Sequence, residues 1–168
     1  MFKRPITGFT LIELLVTITI GAILLAIALP SFQGSLRSNR VATTSNELLT
    51  SLNLARSEAI RSTHGGGVCA SANGTACGTN WSEGWIVWTE TDGDGVFDAG
   101  ETVVRYSQQR AQVAVTGSDD SISFDGRGRV NGGAVQTVSV VSDGDVAMVR
   151  CVKIGMTGQT AVKKGVCA

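Results

Sequence analysis

The sequence predicts an α+β protein in which a long N-terminal helix, its first half transmembrane, packs on a C-terminal antiparallel β-sheet head (residues 65–168). Three observations predict this fold: a continuous apolar run near the N-terminus, a stripe of apolar residues at helical spacing after it, and short strand-like runs beyond the helix. The 168 residues include 21 glycines and only 2 prolines. That composition favours a turn-rich β domain over a helical bundle.

The apolar run extends from Phe9 to Leu29 and contains Glu13 as its only charged residue. Its length matches that of a membrane-spanning helix. Lys3 and Arg4 precede the run without an acidic residue. The positive-inside rule therefore places the N-terminus in the cytoplasm and the chain beyond residue 30 on the far side of the inner membrane.

A secretory signal peptide is the alternative interpretation, because Ala26-Ile27-Ala28 has the small-x-small form of a cleavage site. Two features argue against it. The apolar run is longer than the usual hydrophobic region of a signal peptide, and a carboxylate at Glu13 costs about 2.5–3.5 kcal/mol on insertion. A charge retained at that depth indicates a cationic partner in an assembled state.

The second half of the helix is predicted over residues 30–64. Pro30 predicts a weak point or kink, but helical spacing resumes beyond it. The apolar stripe consists of Leu48, Leu52, Ala55 and Ala59. We expect this stripe to pack on one face of the sheet and the helix to end near Ser62–Gly67, where three consecutive glycines remove helix propensity. We expect His64 to be exposed in the last turn.

The head is predicted from runs rich in Val, Ile, Thr and Trp that are separated by Gly, Asp, Asn and Ser. The predicted strands are Trp85–Thr89, Thr102–Ser107, Gln112–Thr116, Ile122–Phe124, Val135–Val141 and Val146–Ile154. Turns at Asp92–Gly95, Asp125–Gly126 and Asp143–Asp145 are expected to join neighbouring strands into hairpins. Trp81, Trp85 and Trp88 are expected to lie in the core rather than to form a ligand platform.

Composition and charge disfavour an enzyme. Lys and Arg total 14, Asp and Glu total 14, and His64 is the only histidine. The whole-chain charge therefore points to no partner, and one histidine cannot build a multi-histidine metal centre. The sequence also offers no arrangement of nucleophile, base and orienting residue.

The four cysteines lie in the segment predicted to be outside the cytoplasm, where disulfides form by default. Four cysteines allow three connectivities, and the sequence does not decide among them. We favour the local pairs Cys69–Cys77 and Cys151–Cys167, because each closes a glycine-containing stretch and leaves the sheet free to form. A four-cysteine zinc site is the alternative, but the spacings are not those of a zinc ribbon.

Five acidic residues have the spacing of a calcium-binding EF-hand loop. They occupy positions 1, 3, 5, 9 and 12 of a twelve-residue window, with Gly95 at position 6: Glu90, Asp92, Asp94, Asp98 and Glu101. The flanking segments are predicted strands, so a calcium site here would be an EF-like loop within a hairpin. A solvated acidic turn is the alternative that we favour from the sequence, since such motifs often match by chance. No other cofactor is expected.

Residues 3–16, KRPITGFTLIELLV, resemble the class III leader and N-terminal helix of type IV pilins and type II secretion pseudopilins. The resemblance implies that residues 1–8 are a leader, which a membrane prepilin peptidase removes between Gly8 and Phe9 before methylating the new N-terminus. It also implies that Glu13 pairs with the α-amine of Phe9 in a neighbouring subunit. Loss of the leader leaves 12 basic and 14 acidic residues, a formal charge of −2.

Three further segments are similar to the GspH/FimT family of minor pilins and minor pseudopilins, in particular to its FimT/FimU-like members: residues 54–61, residues 84–105 and residues 122–130. The resemblance implies the lollipop fold of type IV pilins. It divides the chain into the leader, a transmembrane and filament-core helix over 9–29, an amphipathic half over 30–64, and a head over 65–168 with a disulfide-closed tail.

The same resemblance implies a minor type IV pilin that polymerises through its N-terminal helix and acts in pilus assembly or initiation, or at the pilus tip. The implied partners are other major and minor pilins, the prepilin peptidase, the inner-membrane assembly platform and the inner membrane itself. The protein would cross the bacterial inner membrane once, with a periplasmic head, before it enters the extracellular pilus. A GspH-like minor pseudopilin of type II secretion shares every motif, but the basic, cysteine-bearing tail favours the pilus.

DNA binding for natural transformation is a further alternative, because DNA-capturing relatives carry Gly-Arg-x-Arg in the C-terminal tail. The corresponding tail segment here, Gly158–Ala161, lacks both arginines, whereas Gly126–Arg129 matches the motif earlier in the chain. The candidate phosphate contacts are Arg127, Arg129, Lys163 and Lys164. No aromatic residues are interleaved with them, so weak binding is expected at best.

Overall fold

The computed structural model describes residues 8–143 and 145–167. The predicted leader residues 1–7, and Gly144 of the third predicted turn, lie outside the described residues. The chain divides into two compact units, with the division between Leu36 and Arg37.

One helix, α1, extends from Leu11 to Ser62. It continues through Pro30, so the predicted weak point does not end the helix. A proline removes only one backbone hydrogen-bond donor, and a long helix can continue past it. Thr63 then adopts a left-handed backbone conformation with φ 63°, which stops the helix. His64 is exposed, as predicted, but it lies beyond the helix rather than in its last turn.

In the first unit, α1 presents apolar side chains on all sides. The large apolar residues from Phe9 to Leu36 that the structure describes are 40–84% exposed. By length and composition this helix can cross a membrane. Contact between water and such an apolar surface is unfavourable. A helix that is apolar all round therefore belongs in lipid or in the core of an assembly.

In the second unit, α1 is followed by eight described strands: β1 (Gly66–Ala70), β2 (Gly84–Thr89), β3 (Thr102–Gln108), β4 (Val113–Gly117), β5 (Ser121–Phe124), β6 (Gln136–Ser142), β7 (Asp145–Ile154) and β8 (Thr160–Lys164). They form two antiparallel sheets, in the orders β3-β2-β1-β5 and β4-β6-β7-β8. The six predicted strands are all present, within one or two residues at each end. The predicted antiparallel β head is confirmed, but its strands form two sheets rather than the one sheet expected.

Two strands were not predicted, β1 and β8, and both have residues that obscure the strand pattern. Gly66 and Gly67 have low strand propensity, but a Cβ on either would lie 2.7 Å from an atom of Trp88. Only glycine allows that close approach. In β8, Lys163 and Lys164 are exposed on an edge strand, where charge protects against further strand pairing.

Two of the three predicted hairpins are correct. β2 pairs with β3 across the acidic segment, and β6 pairs with β7 across residues 143–145. The predicted hairpin at Asp125–Gly126 is wrong, because β5 and β6 belong to different sheets. The chain after this turn makes a single bridge, Phe124 with Val130, and then enters a short 3₁₀ segment at Asn131–Gly133.

The core of the second unit contains the predicted apolar stripe of α1, all four residues of which have 0% exposure. The stripe packs with Val68 and Ile122 of the first sheet and with Val138 and Val152 of the second. Trp85 joins helix and sheet directly, since its Nε1 donates a hydrogen bond to Oγ of Ser51 at 3.0 Å. One helix face thus unites both sheets in one core, and the three tryptophans lie in buried positions as predicted.

The opposite face of the first sheet is also covered. Side chains alternate along a strand, so Cys69, Ile86 and Trp88 face away from α1, yet all three are fully buried. They form a second apolar cluster to which Phe97, from the β2–β3 loop, contributes. The ring centroids of Trp88 and Phe97 are 5.8 Å apart. The acidic loop therefore covers the outer face of this sheet.

Candidate functional site

The predicted processing site lies where α1 begins. Phe9 is 84% exposed, and Thr10 caps the helix because its Oγ1 accepts a hydrogen bond from the N–H of Glu13 at 3.2 Å. The spacing Thr10-x-x-Glu13 is that of a capping box, a signal in the sequence that our sequence analysis did not use. The cap places the carboxylate of Glu13 in the first turn, where the helix dipole favours negative charge.

Within residues 8–36, the part of its unit that the structure describes, Glu13 has no cationic residue available. Residues 8–36 contain no Lys or Arg, and the neighbours of Glu13 along the helix are exposed apolar side chains. In an apolar environment a lone carboxylate is strongly unfavourable. A cation for Glu13 therefore has to come from outside these residues, and in an assembly another molecule can supply it.

Both disulfides in the head join cysteines that are close in sequence, the connectivity favoured above. Cys69 pairs with Cys77 and Cys151 pairs with Cys167, with Cα separations of 5.6 and 5.1 Å. All four sulfur atoms are in disulfides, so none of them is a thiolate that can bind zinc. The first bond holds the loop after β1 over the outer face of the first sheet, and the second fixes the end of the chain to β7.

The acidic loop brings three of its five carboxylates together. Glu90, Asp92 and Asp94 each have a carboxylate oxygen within 4.8 Å of those of the other two. Asp92 and Asp94 are exposed, but Glu90 is only 4% exposed, and its Oε1 is buried without a hydrogen-bond partner. The interpretation as a solvated turn is therefore wrong for Glu90, since packing of the loop against the sheet removes this side chain from water.

The remaining two acidic residues take different positions. Glu101 approaches Glu90, and its own Oε1 is also buried without a partner. Asp98 is exposed, lies outside the group of three, and accepts a hydrogen bond from the N–H of Gly100 at 3.1 Å.

Several causes together raise the pKa of Glu90 to about 8: burial is the largest, and the neighbouring carboxyls of Glu101 and Asp92 add to it. A backbone hydrogen bond opposes these effects, because the N–H of Gly95 donates to Oε2 of Glu90 at 2.9 Å. The anionic form of Glu90 is thus unfavourable where it stands unless a cation compensates it.

The Gly-Arg-Gly-Arg segment forms a tight turn. Oδ1 of Asp125 accepts hydrogen bonds from the backbone N–H groups of Arg127 and Arg129, at 2.9 and 2.8 Å. Both arginine residues are exposed. Their backbones shape the turn, and their side chains are free to contact a phosphate.

Arg56 of α1 holds this turn and was not singled out by the sequence analysis. Its Nε donates to the carbonyl oxygen of Gly128 at 2.9 Å, and a terminal guanidinium nitrogen donates to that of Thr157 at 3.0 Å. A Cβ at Gly158 would lie 2.0 Å from the carbonyl oxygen of Gly128. The glycines of both segments therefore have a packing role, which lowers their value as evidence for DNA binding.

The two basic pairs lie apart. The arginine turn is next to the β7–β8 turn, since the N–H of Val130 donates to the carbonyl oxygen of Met156 at 3.1 Å. Lys163 and Lys164 lie at the other end of β8, opposite Cys151 and Arg150. At about 3.3 Å per residue, Lys163 is about 10 Å along the strand from its start at residue 160. The four side chains do not form one compact patch.

The family model described as Type II transport protein GspH matches residues 44–158, and the prokaryotic N-terminal methylation motif matches residues 3–29. No curated protein sequence matches the chain significantly.

Solved structures with the same fold include the type IV minor pilin FimU of Pseudomonas aeruginosa, with a TM-score of 0.60, 18% identity, and coverage of 74% of this chain and 89% of that chain. A second crystal form of FimU has a TM-score of 0.58 and 17% identity, and the match covers 73% of this chain and 91% of that chain. The minor pseudopilin EpsH of the Vibrio cholerae type 2 secretion system has a TM-score of 0.53 and 13% identity, and the match covers 74% of this chain and 97% of that chain. These similarities show the fold. Because the GspH model matches more than half of the sequence, the chain belongs to the GspH family of minor pilins and pseudopilins.

Proposed function

We propose that this protein is a minor type IV pilin that enters the pilus through its N-terminal helix and acts in pilus assembly or initiation, or at the pilus tip. One observation carries the proposal: the N-terminal methylation motif of residues 3–29 includes a helical segment with exposed apolar side chains on all sides and Glu13 as its single carboxylate. Such a helix needs lipid first and apolar helices of other subunits afterwards. The basic, cysteine-bearing tail is the feature of the sequence that favours the pilus over secretion.

The proposed route begins in the inner membrane. Lys3 and Arg4 hold the N-terminus in the cytoplasm, and the peptidase cleaves between Gly8 and Phe9 and methylates Phe9. The two disulfides support a periplasmic head, because they persist in an oxidising compartment. Assembly with other pilins on the membrane platform then moves α1 from lipid into the filament, where the amine of Phe9 of a neighbouring subunit is the counter-ion of Glu13. The role is structural rather than enzymatic.

A minor pseudopilin of type II secretion is the second candidate, favoured by the name of the matching family model and by the similarity to EpsH. The experiment that separates the two candidates is deletion of the gene followed by complementation. We expect the deletion strain to lose sheared surface pili and twitching motility while its secreted proteins stay unchanged. Normal pili with periplasmic retention of secreted enzymes would identify the pseudopilin instead.

For DNA we expect weak binding that disappears at physiological salt. The acidic loop opposes long-range attraction of a polyanion such as DNA. Each basic pair offers about two phosphate contacts, and the logarithm of the binding constant falls with the logarithm of the salt concentration with a slope of about −0.9 per contact. Fluorescence anisotropy of a labelled duplex at several salt concentrations measures this with the full chain in detergent. Arg127→Gln/Arg129→Gln is compared with Lys163→Gln/Lys164→Gln. Tight binding at physiological salt that one pair abolishes would make DNA capture the leading function.

A further inference from the structure

We propose that the acidic loop between β2 and β3, residues 90–101, binds one calcium ion through the carboxylates of Glu90, Asp92, Asp94 and Glu101. The proposal goes beyond assembly of the filament and does not depend on it. It starts from a buried group that the fold leaves without a partner, Oε1 of Glu90. An unpaired buried carboxylate oxygen is strongly unfavourable, and the ionised side chains around it, those of Asp92, Asp94 and Glu101, can only accept hydrogen bonds.

The geometry suits a single cation. Oxygen ligands of calcium lie about 2.3–2.6 Å from the ion, so two ligands on opposite sides are about 4.6–5.2 Å apart. The carboxylate oxygens of Glu90, Asp92 and Asp94 lie within 4.8 Å of one another, which one ion in their midst can bridge. Glu101 stands beside Glu90 and has a second buried oxygen without a partner.

The charges of the site call for a divalent cation. Residues 90–101 include five acidic residues and no basic one, and none of the five takes part in an ion pair within the described parts of the chain. Glu90 is only 4% exposed, and burying its carboxylate without a cation is unfavourable. A divalent ion removes this penalty and leaves the exposed carboxylates of Asp92 and Asp94 as the entry side.

Calcium fits better than magnesium. The ligand spacing is that of a calcium loop with a glutamate at position 12, and Gly95 at position 6 has φ +82° as the sharp turn requires. At position 7 of such loops the ligand is a backbone carbonyl, here that of Val96. Magnesium demands near-ideal octahedral geometry and keeps several waters, whereas a mixed set of carboxylates and carbonyls is typical of calcium.

Calcium would stabilise the outer face of the first sheet. The loop that holds the ion also supplies Phe97, which packs on Trp88. Fixing the loop therefore fixes the cover of the second apolar cluster. Without the ion, repulsion among the carboxylates works against that packing.

The test uses the full chain in detergent, stripped with EDTA and then dialysed. We expect calorimetric titration with CaCl₂ to show one site with a Kd on the order of 10⁻⁴–10⁻³ M, the range of extracellular calcium modules, and MgCl₂ to bind much more weakly. Saturating CaCl₂ is expected to raise Tm by about 3–6 °C. Asp92→Asn/Asp94→Asn should lose both effects, while Asp119→Asn/Asp120→Asn, an exposed pair outside the loop, should keep them.

Glu90→Gln distinguishes a calcium site from a merely structural glutamate. This variant should lose the response to calcium and, in EDTA, should be at least as stable as the wild type, because it removes a buried carboxyl that has no cation. The proposal is overturned if the wild type shows neither binding nor a Tm shift at 10 mM CaCl₂. It is also overturned if the Asp92→Asn/Asp94→Asn protein responds as the wild type does.

Discussion

Glu13→Ala is expected to lower the amount of this protein in sheared filaments at least tenfold while leaving it folded and inserted in the membrane. Under the proposed function, the α-amine of Phe9 in the next subunit would lose its counter-ion within an apolar helix bundle. Breaking a buried ion pair by removing one partner costs about 3–5 kcal/mol, so a tenfold loss is a conservative figure. Immunoblots of the sheared fraction against the membrane fraction measure the effect.

The control for Glu13→Ala is Glu83→Ala, which removes the same charge from an exposed position in the head. We expect Glu83→Ala to enter filaments normally. Glu13 also sits in the capped first turn of α1, but loss of a helix-terminal interaction is worth only about 0.3–1 kcal/mol. Wild-type incorporation of the Glu13→Ala protein would contradict the proposed ion pair.

Leu52→Ala is expected to destabilise the second unit by about 2–5 kcal/mol, because it opens a cavity where α1 meets the sheets. Leu52 is fully buried and belongs to the core cluster that includes residues of both sheets. The next residue along the chain toward the N-terminus, Ser51, accepts the hydrogen bond of Trp85, so tryptophan fluorescence reports on the same contact. Urea unfolding of the full chain in detergent, followed by fluorescence, measures the free energy of unfolding.

Thr50→Ala is the matched control for Leu52→Ala, since it truncates an exposed side chain two residues away on the same helix. We expect its effect on the free energy of unfolding to stay within about 0.5 kcal/mol. Equal effects of the two substitutions would contradict the packing of Leu52 in the core between α1 and the two sheets.

Much of the fold can be predicted from the sequence, because the spacing of apolar residues shows which side of a helix or strand is buried. The stripe from Leu48 to Ala59 repeats at helical spacing, and all four of its residues are fully buried. Both disulfides join cysteines close in sequence, the connectivity that the sequence favoured among three without deciding it. The strands with clear Val and Ile patterns were found for the same reason.

What the sequence did not show depends on contacts between distant segments. The sequence of β1 indicates only the end of the helix, because Gly66 and Gly67 have low strand propensity. The folded structure shows why glycine is needed there: Trp88 lies too close to leave room for a side chain. Arg56 looks like a solvated helix residue until the turns at Gly128 and Thr157 are folded against it.

The acidic loop shows the same limit at a candidate site. Spacing alone cannot tell a solvated turn from a cation site, because the difference lies in the burial of Glu90. That burial arises in the folded loop, where Glu90 lies beside Gly65 and accepts a hydrogen bond from Gly95. The Thr10 cap, in contrast, was readable from the sequence, since Thr10-x-x-Glu13 precedes an apolar run.

The central claim is that the protein is processed as a pilin and then enters a filament. Mass spectrometry of the N-terminal peptide from the sheared filament fraction tests it most directly. The account predicts a chain that begins at methylated Phe9, with residues 1–8 absent. A chain that begins at Leu29, as after signal-peptide cleavage at Ala28, and is absent from the sheared fraction would contradict it.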